Sequence, residues 1–335
     1  MQHLSKNLCG SSVLITGGNG YIGRIATIMF EEWGCTVWRL DDLSGSQAPK
    51  DTTHFIHGSI LDTTLLSTLF KDHKFDVVIH LAGKINVGES IERPEHYWLH
   101  NVRGTETLLS CIPSNTMFLF ASSAAVYGTN TAQVNEHSPC IPTSPYGNGK
   151  LTAEQTIVKR VPNSICFRLF NVAGAIIHPR NPDIIIGEEH MPETHLIPRV
   201  IQQHLMGESF SIFGNNYNTN DGTCIREFVH VSDVIRAFAM GIVHLKAKTN
   251  PTPLTFNVSS GIGHSVLEIL QAISKEGLLF DQAPIQYSFA PARKGDPSRI
   301  AGSISHIQKT LQWRPLNSDI SSIIRSAWLH QLSLH

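Results

Sequence analysis

Ser12-Val13-Leu14-Ile15-Thr16-Gly17-Gly18-Asn19-Gly20-Tyr21-Ile22-Gly23 is the stretch whose reading decides the fold. A short apolar run stops at closely spaced glycines, and an amphipathic stretch from about 21 to 33 follows. That order predicts strand, tight turn and helix. Two registers fit a dinucleotide fingerprint, Gly18-x-Gly20-x-x-Gly23 and Gly17-x-x-Gly20-x-x-Gly23. In either, one glycine makes the turn, one lets backbone N–H groups approach a pyrophosphate, and one lets the helix pack on the strand. The phosphates would sit on the helix N-terminus, where free N–H groups and the dipole favour negative charge. The next apolar run, Cys35-Thr36-Val37-Trp38-Arg39-Leu40, ends in Asp41-Asp42. An acid about 20 residues past the glycines is where a ribose diol needs an acceptor. Asp41 favours NAD over NADP, because a carboxylate repels a 2′-phosphate; Arg39 argues the other way.

Outward from that turn, strand-like and helix-like stretches alternate. Strands are expected at 54–57, 75–82, 116–121 and 164–170, and helices at 62–71, 94–111 and 145–161. Pro94 suits the first turn of its helix. Repeated β-α-β units with apolar strands imply an α/β fold with a doubly wound parallel sheet of Rossmann type, ligands lying beyond the carboxyl ends of the strands. Regularity loosens near Ala175, and the segment to about 192 is rich in Pro, Asn, His and acids. We therefore expect a dinucleotide domain over 1–175 and a smaller α/β substrate lobe over 176–335, some segments of which are free to return to the first. Helices are expected in that lobe at 196–206, 232–244 and 265–275.

The 335 residues allow one large or two modest domains. A net charge of −1 gives no sign of nucleic acid or of an anionic membrane surface as partner. Charged residues make up 16%, against a usual value of about 25%, which hints at a large interior or a subunit interface. The six cysteines, Cys9, Cys35, Cys111, Cys140, Cys166 and Cys224, include no C-x-x-C pair, so reduced thiols are expected. Among the 18 histidines no pair or histidine–cysteine cluster suited to a metal stands out, and no metal is expected. The first residues lack a signal pattern and no apolar run reaches about 18 residues, so the expectation is a soluble cytoplasmic protein.

The chemistry is expected after the 116–121 strand, at Ser122-Ser123-Ala124-Ala125-Val126-Tyr127-Gly128, and at Tyr146-Gly147-Asn148-Gly149-Lys150. Tyr146 and Lys150, four apart on a helix, face the same way. A tyrosine acting as a base near neutrality must lower its pKa by roughly 3, about 4 kcal/mol. One cation at roughly 5 Å, with an effective dielectric of about 20, supplies about 3 kcal/mol. Lys150 plus a positive nicotinamide ring therefore suffices, whereas one of them alone does not.

With these pieces in view the chain resembles the extended short-chain dehydrogenase/reductases and, within them, the UDP-glucose 4-epimerase family. The resemblance spans nearly the whole length. Besides the glycine turn, the Ser122–Gly128 run and the Tyr146 to Lys150 helix, it rests on Val87-Gly88-Glu89-Ser90, Asn101-Val102-Arg103-Gly104-Thr105 and Arg168-Leu169-Phe170-Asn171-Val172-Ala173-Gly174-Ala175. Further on come Pro192-Glu193-Thr194-His195-Leu196-Ile197-Pro198, Ile212-Phe213-Gly214, the run from Asp221 to Val231, and Arg293-Lys294-Gly295-Asp296. It implies NAD as cofactor, held by Gly17, Gly20, Tyr21, Ile22, Gly23, Asp41, Ser59, Ile60, Leu81, Ala82, Gly83, Asn101, Tyr146 and Lys150. It implies that Tyr146 is acid and base at the sugar 4-hydroxyl, that Lys150 tunes it, and that Ser123 guides the proton; the register against Val126-Tyr127-Gly128 favours Ser123 over Ser122. A hydride leaves C4, and the resulting 4-keto sugar turns over and takes it back on the other face. The same comparison assigns Asn171 and the backbone near His195 and Leu196 to the nucleotide, Phe213 to uracil, Arg226 and Arg293 to the diphosphate, and Asp296 to a ribose hydroxyl. From the residues themselves, Phe213 also reads as core, Arg226 as an ion pair with Glu227, Arg293 as a surface charge and Asn171 as a strand-end cap.

The chain departs from the family pattern at several points. Asn148 and Gly149 replace the usual residues between Tyr146 and Lys150, and Gly149 costs a helix about 1 kcal/mol relative to Ala. Gly58-Ser59-Ile60 lacks the Asp that commonly meets the adenine, Gly83-Lys84-Ile85-Asn86 differs locally, and the surroundings of Arg299 and Ile300, where the family gates sugar size, are unusual. Related 4,6-dehydratases carry Asp-Glu where this chain has Ala124-Ala125, which argues against elimination chemistry. The expected activity is therefore 4-epimerisation of UDP-galactose and UDP-glucose. The alternatives are another UDP-sugar, N-acetylated or uronic, and an NAD-binding sensor or scaffold. The resemblance also implies a homodimer packed through 94–111 and 145–161.

Overall fold

Seven short strands form one wholly parallel sheet in the spatial order Leu254–Val258, Ser164–Leu169, Met117–Ser123, Val77–His80, Ser12–Thr16, Thr36–Asp41, Phe55–His57. The structure is a computed structural model and describes residues 2–46, 48–49, 53–129, 133–293 and 296–335; Lys294 and Gly295 of the Arg293–Asp296 run lie outside the described residues. The sheet grows outward in both directions from Ser12–Thr16. Chain order therefore reverses between that strand and Val77–His80, and a crevice opens at their carboxyl ends.

Both faces of the sheet are covered. On one side Ile25, Ala26 and Phe30 of the helix Tyr21–Glu32 pack with Val234, Ile235 and Phe238 of the helix Val231–Lys246. On the other, Leu66, Leu108, Ala153 and Ile157 come from the helices Thr63–Asp72, Gly104–Cys111 and Pro145–Arg160. Each fully buried Ile, Leu or Phe contributes about 1.5–3 kcal/mol. A separate core joins the helices Leu196–Leu205, Val266–Gly277 and Ile320–Ser333 around Trp328. Small sheets built on Ile225–His230 and Phe210–Phe213 complete that lobe.

Two segments of the second half return to the first. Leu254–Val258 is an edge strand of the large sheet, paired with Ser164–Leu169, and Val231–Lys246 packs beneath it. The helix expected over 94–111 forms without a break but widens at its middle: Pro94–Trp98 and Gly104–Cys111 are α-helical, Leu99–Arg103 between them is a π-helical turn, and Val87–Glu92 is a separate short helix ahead of it. The wide turn is explained by Asn101, whose side chain is drawn onto the backbone of the loop beyond Val77–His80. No helix among the described residues is long and apolar enough to cross a membrane.

Candidate active site

The glycine turn closes on itself as its spacing requires. A Cβ on Gly23 would lie 2.2 Å from the Gly17 carbonyl oxygen, and one on Gly17, at φ +69°, would lie 2.7 Å from the Ala82 amide. These glycines bring the helix and the Val77–His80 strand end into backbone contact. Gly20 differs: its Cβ would meet only the Gly17 oxygen, at 3.5 Å, and it caps the helix without a side-chain hydrogen bond. First-turn N–H groups thus face a concavity that a Cβ would fill, which fits a pyrophosphate. Asp41 is buried at its edge, Oδ2 accepting from the Asn19 amide at 2.9 Å and Oδ1 from the Leu43 amide at 2.8 Å. Arg39 lies under Gly18 and points to Thr53 O, 3.4 Å, and over the Phe55 ring.

Tyr21 is anchored through its hydroxyl, which donates to Gly174 O at 2.5 Å, while burial and the carboxylates of Glu188 and Glu193 push its pKa well up. Ile22 is half-buried against the core beneath the sheet, and Leu81 donates its amide to Thr16 O at 3.0 Å. Ser59 Oγ accepts from the Leu61 amide, and Asp62 caps the next helix through Oδ1. Ile60 packs against Gly104. Asn101, expected at the cofactor, uses both ends of its amide on Lys84: Oδ1 accepts from its N–H at 2.7 Å and Nδ2 donates to its carbonyl at 2.9 Å. It shapes the loop from Gly83, where a Cβ would stand 2.8 Å from Asn101 Oδ1.

Ser123, Tyr146 and Lys150 converge beside this crevice. Ser144 caps the Pro145–Arg160 helix through the Gly147 amide, 3.1 Å, with Pro145 at its first position. A Cβ on Gly147 would lie 2.6 Å from Ala125 O, so this glycine lets the helix approach the Ser123–Gly128 loop. Burial raises the Tyr146 pKa above its ordinary value, and a hydrogen bond with Ser123 opposes the rise. Lys150 is buried, donates to Ala121 O at 2.8 Å and stands 6.0 Å from the Tyr146 ring centre; burial lowers its pKa to about 8 against the raising effect of Glu154. Gly149 lies within the helix, and Lys150 is held at its tip by Ala121 O.

Behind Lys150 runs a buried polar chain that the sequence reading passed over. Glu154, one turn further along the same face, accepts from Ser122 and pairs with Arg168, the closest contact 2.8 Å. Arg168 also donates to Tyr127 OH at 2.9 Å, and Tyr127 donates to Asn257 Oδ1 at 2.7 Å on the returning strand. The spacing Tyr146, Lys150, Glu154 contained the signal for Glu154; Arg168 and Asn257 are brought in by the sheet. Under the crevice His80 joins Thr16, 2.7 Å, to Thr105, 2.9 Å, and burial pushes its pKa down to about 3, keeping it neutral.

The expected substrate residues are held by one another. Arg226 pairs with Asp296, and not with Glu227, which is buried and accepts from the Gly302 amide. The Arg293 guanidinium stacks 4.1 Å from the centre of the half-buried Phe213 ring. Asn171 Nδ2 donates to Glu227 O at 2.7 Å. His195 caps the Leu196–Leu205 helix through its backbone, with Leu196 packed on the second-lobe core. Ile300 packs near Ala124 and Phe170. Two histidine groupings also correct the sequence reading. His96 and His100 lie edge to face at 4.5 Å, and Glu188, His190, Glu193 and His195 turn their donor atoms together.

Residues 13–259 match the NAD dependent epimerase/dehydratase family. A UDP-glucose 4-epimerase of Halalkalibacterium halodurans is 37% identical, over 95% of this chain and 94% of that protein. The crystal structure of UDP-glucose 4-epimerase from Brucella ovis in complex with NAD is similar at a TM-score of 0.86 and 32% identity, covering 96% of this chain and 98% of that one. The enzyme of that name from Bifidobacterium longum, in complex with NAD+ and UDP, gives a TM-score of 0.86 at 28% identity, with 96% and 98% covered.

Proposed function

The chain belongs to the NAD dependent epimerase/dehydratase family, and from that premise we propose that it interconverts UDP-galactose and UDP-glucose by inverting C4, with NAD as resident cofactor. The observation that carries this reading is the convergence of Ser123, Tyr146 and anchored Lys150 beside the glycine turn, with Ala124 and Ala125 where elimination would need acids. The chemistry supplied by bound NAD is reversible hydride acceptance at C4, together with the positive charge of its ring. Tyr146 moves the C4 hydroxyl proton, Ser123 holds that hydroxyl in line, and Lys150, fixed by Ala121 O, would hold the nicotinamide ribose. Burial keeps the resting Tyr146 protonated, and one ammonium at roughly 5 Å is worth about 3 kcal/mol at an effective dielectric of about 20. A second positive charge is therefore needed before the phenol can act as base near neutrality.

Gly17, Gly20 and Gly23 cradle the pyrophosphate, Asp41 takes the adenosine ribose, and the main chain of Ser59, Ile60, Leu81, Ala82 and Gly83 lines the remainder. In the second lobe Phe213 stacks on uracil, Arg226 and Arg293 meet the diphosphate, Asp296 takes a ribose hydroxyl, and Asn171 with the backbone at His195 and Leu196 holds the nucleotide. The enzyme works as a cytoplasmic homodimer through the helices around 87–111 and 145–160, where Ile91, Trp98, Leu99 and Val158 expose large apolar side chains. Incubation with UDP-galactose, without added NAD, tests the activity: UDP-glucose should form. Silence with UDP-galactose, UDP-N-acetyl sugars and UDP-glucuronate, with NAD supplied, would favour a cofactor-binding protein without turnover.

A further inference from the structure

The loop joining the two halves of the chain carries Glu188, His190, Glu193 and His195, each offering one ligand atom, all within 4.8 Å of one another. Some of their contacts are hydrogen bonds: His190 Nδ1 with Glu188 Oε1, and the Thr194 and His195 amides donating to Glu193 Oε1 at 2.7 and 2.8 Å. Glu188 Oε1 lies 3.0 Å from His190 Nδ1 and 2.7 Å from His195 Nδ1. His195 Nδ1 is also 3.3 Å from Glu193 Oε1, yet makes no hydrogen bond of acceptable angle to either carboxylate. His190 Nδ1 is 3.9 Å from Glu193 Oε2. The side chains of Glu188 and Glu193 are 5% and 3% exposed, and Oε2 of each is buried without a hydrogen-bond partner. The nearly buried Glu188 thus turns Oε1 to two imidazoles, and Glu193 leaves its unsatisfied Oε2 3.9 Å from one of them.

We propose that these four side chains form a structural binding site for one divalent transition-metal ion, with Zn2+ as its natural occupant. Zn2+ takes four ligands tetrahedrally, with bonds to imidazole nitrogen and carboxylate oxygen of about 2.0–2.2 Å. Such a tetrahedron has donor-to-donor edges of about 3.3–3.6 Å; the four donor atoms lie within 4.8 Å of one another, with the shortest contact 2.7 Å, a range that contains those edges. Two carboxylates and two neutral imidazoles also balance the charge of the ion, which relieves the penalty of burying like charges together. The position suits a clasp. Arg24 of the cofactor helix donates to Gly187 O at 3.1 Å and pairs with Glu189 at 3.1 Å, on either side of Glu188. His195 begins the helix Leu196–Leu205 of the second lobe. An ion here ties the start of that lobe to the dinucleotide half.

The test uses untagged full-length protein, stripped with chelator and titrated with ZnCl2, with metal content read by elemental analysis and affinity by calorimetry. One Zn2+ per chain is expected, with a raised unfolding temperature. His190→Gln and Glu193→Gln should each weaken binding at least a hundredfold. Failure of the stripped protein to bind zinc at micromolar concentration would overturn the proposal, as would folded variants that bind it as well as the parent. Because a variant can fail to fold, Co2+ loaded into the parent protein gives an independent reading. A tetrahedral visible spectrum without thiolate charge transfer supports the four side chains, whereas a thiolate band assigns the metal to cysteine. None of these readouts depends on epimerase activity.

Discussion

The glycine turn and the second-lobe residues proposed to hold the nucleotide sugar are built by opposite means. At the turn, recognition lies in backbone shape: Gly17 and Gly23 admit no Cβ, while Gly20 leaves a concavity above free amides. In the second lobe the binding groups are long side chains already engaged, Arg226 with Asp296 and Arg293 with Phe213. On the proposed reading the first surface is preformed, whereas the second must exchange partners when a nucleotide sugar enters. Affinity for the sugar nucleotide is therefore a difference between two sets of contacts, and affinity for the cofactor is set chiefly by geometry.

The contrast can be broken by substitution. Tyr146→Phe, at the meeting of the two surfaces, should have the largest effect, lowering kcat by about 10²–10⁴-fold while bound NAD persists, as read by UDP-glucose formation and by cofactor released on denaturation. Gly23→Ala should come next. Its Cβ falls 2.2 Å from the Gly17 oxygen, and overpacking of this kind costs about 1–3 kcal/mol or more; the purified variant should lose cofactor and melt earlier. Arg226→Met removes a charged donor worth about 1.5–3 kcal/mol, so KM for UDP-galactose should rise roughly 10- to 100-fold with NAD content unchanged. An unchanged KM would show that the Arg226–Asp296 pair does not open for substrate. The smallest effect tests the helix that bears the catalytic pair. A Cβ on Gly149 would make ordinary contacts of 3.6 Å with Asn101 and 3.7 Å with Val102. Gly149→Ala should therefore stabilise the protein by about 1 kcal/mol in denaturant unfolding.

What could be read from the sequence follows from how local its cause is. Val13 to Ile15, Val77 to Ile79 and Ile165 to Phe167 are buried on both faces of a parallel sheet, so their apolar runs announced strands. Tyr146 and Lys150 were legible because one helical turn separates them. The π turn around Asn101 was not legible for the opposite reason: the side chain it carries answers to the Lys84 backbone, a tertiary demand that leaves no period in the sequence. Arg168 and Asn257 reach Glu154 and Tyr127 only through strand pairing, and the 188–195 grouping has a spacing outside the common metal motifs.

The return of Leu254–Val258 to the sheet also sets the timing of synthesis. Phe256 is the neighbour of Phe167 across the strands, and Val231–Lys246 supplies the helix that covers both. A ribosome needs roughly 5–20 s to add the intervening stretch of about 90 residues. Throughout that interval the nascent sheet presents Ile165 and Phe167 on an open edge, with Arg168 still short of its Tyr127–Asn257 chain. The first 175 residues are thus a platform that waits for its last strand. Chaperone demand should peak there, and a fragment ending before about 258 should aggregate where the whole chain folds.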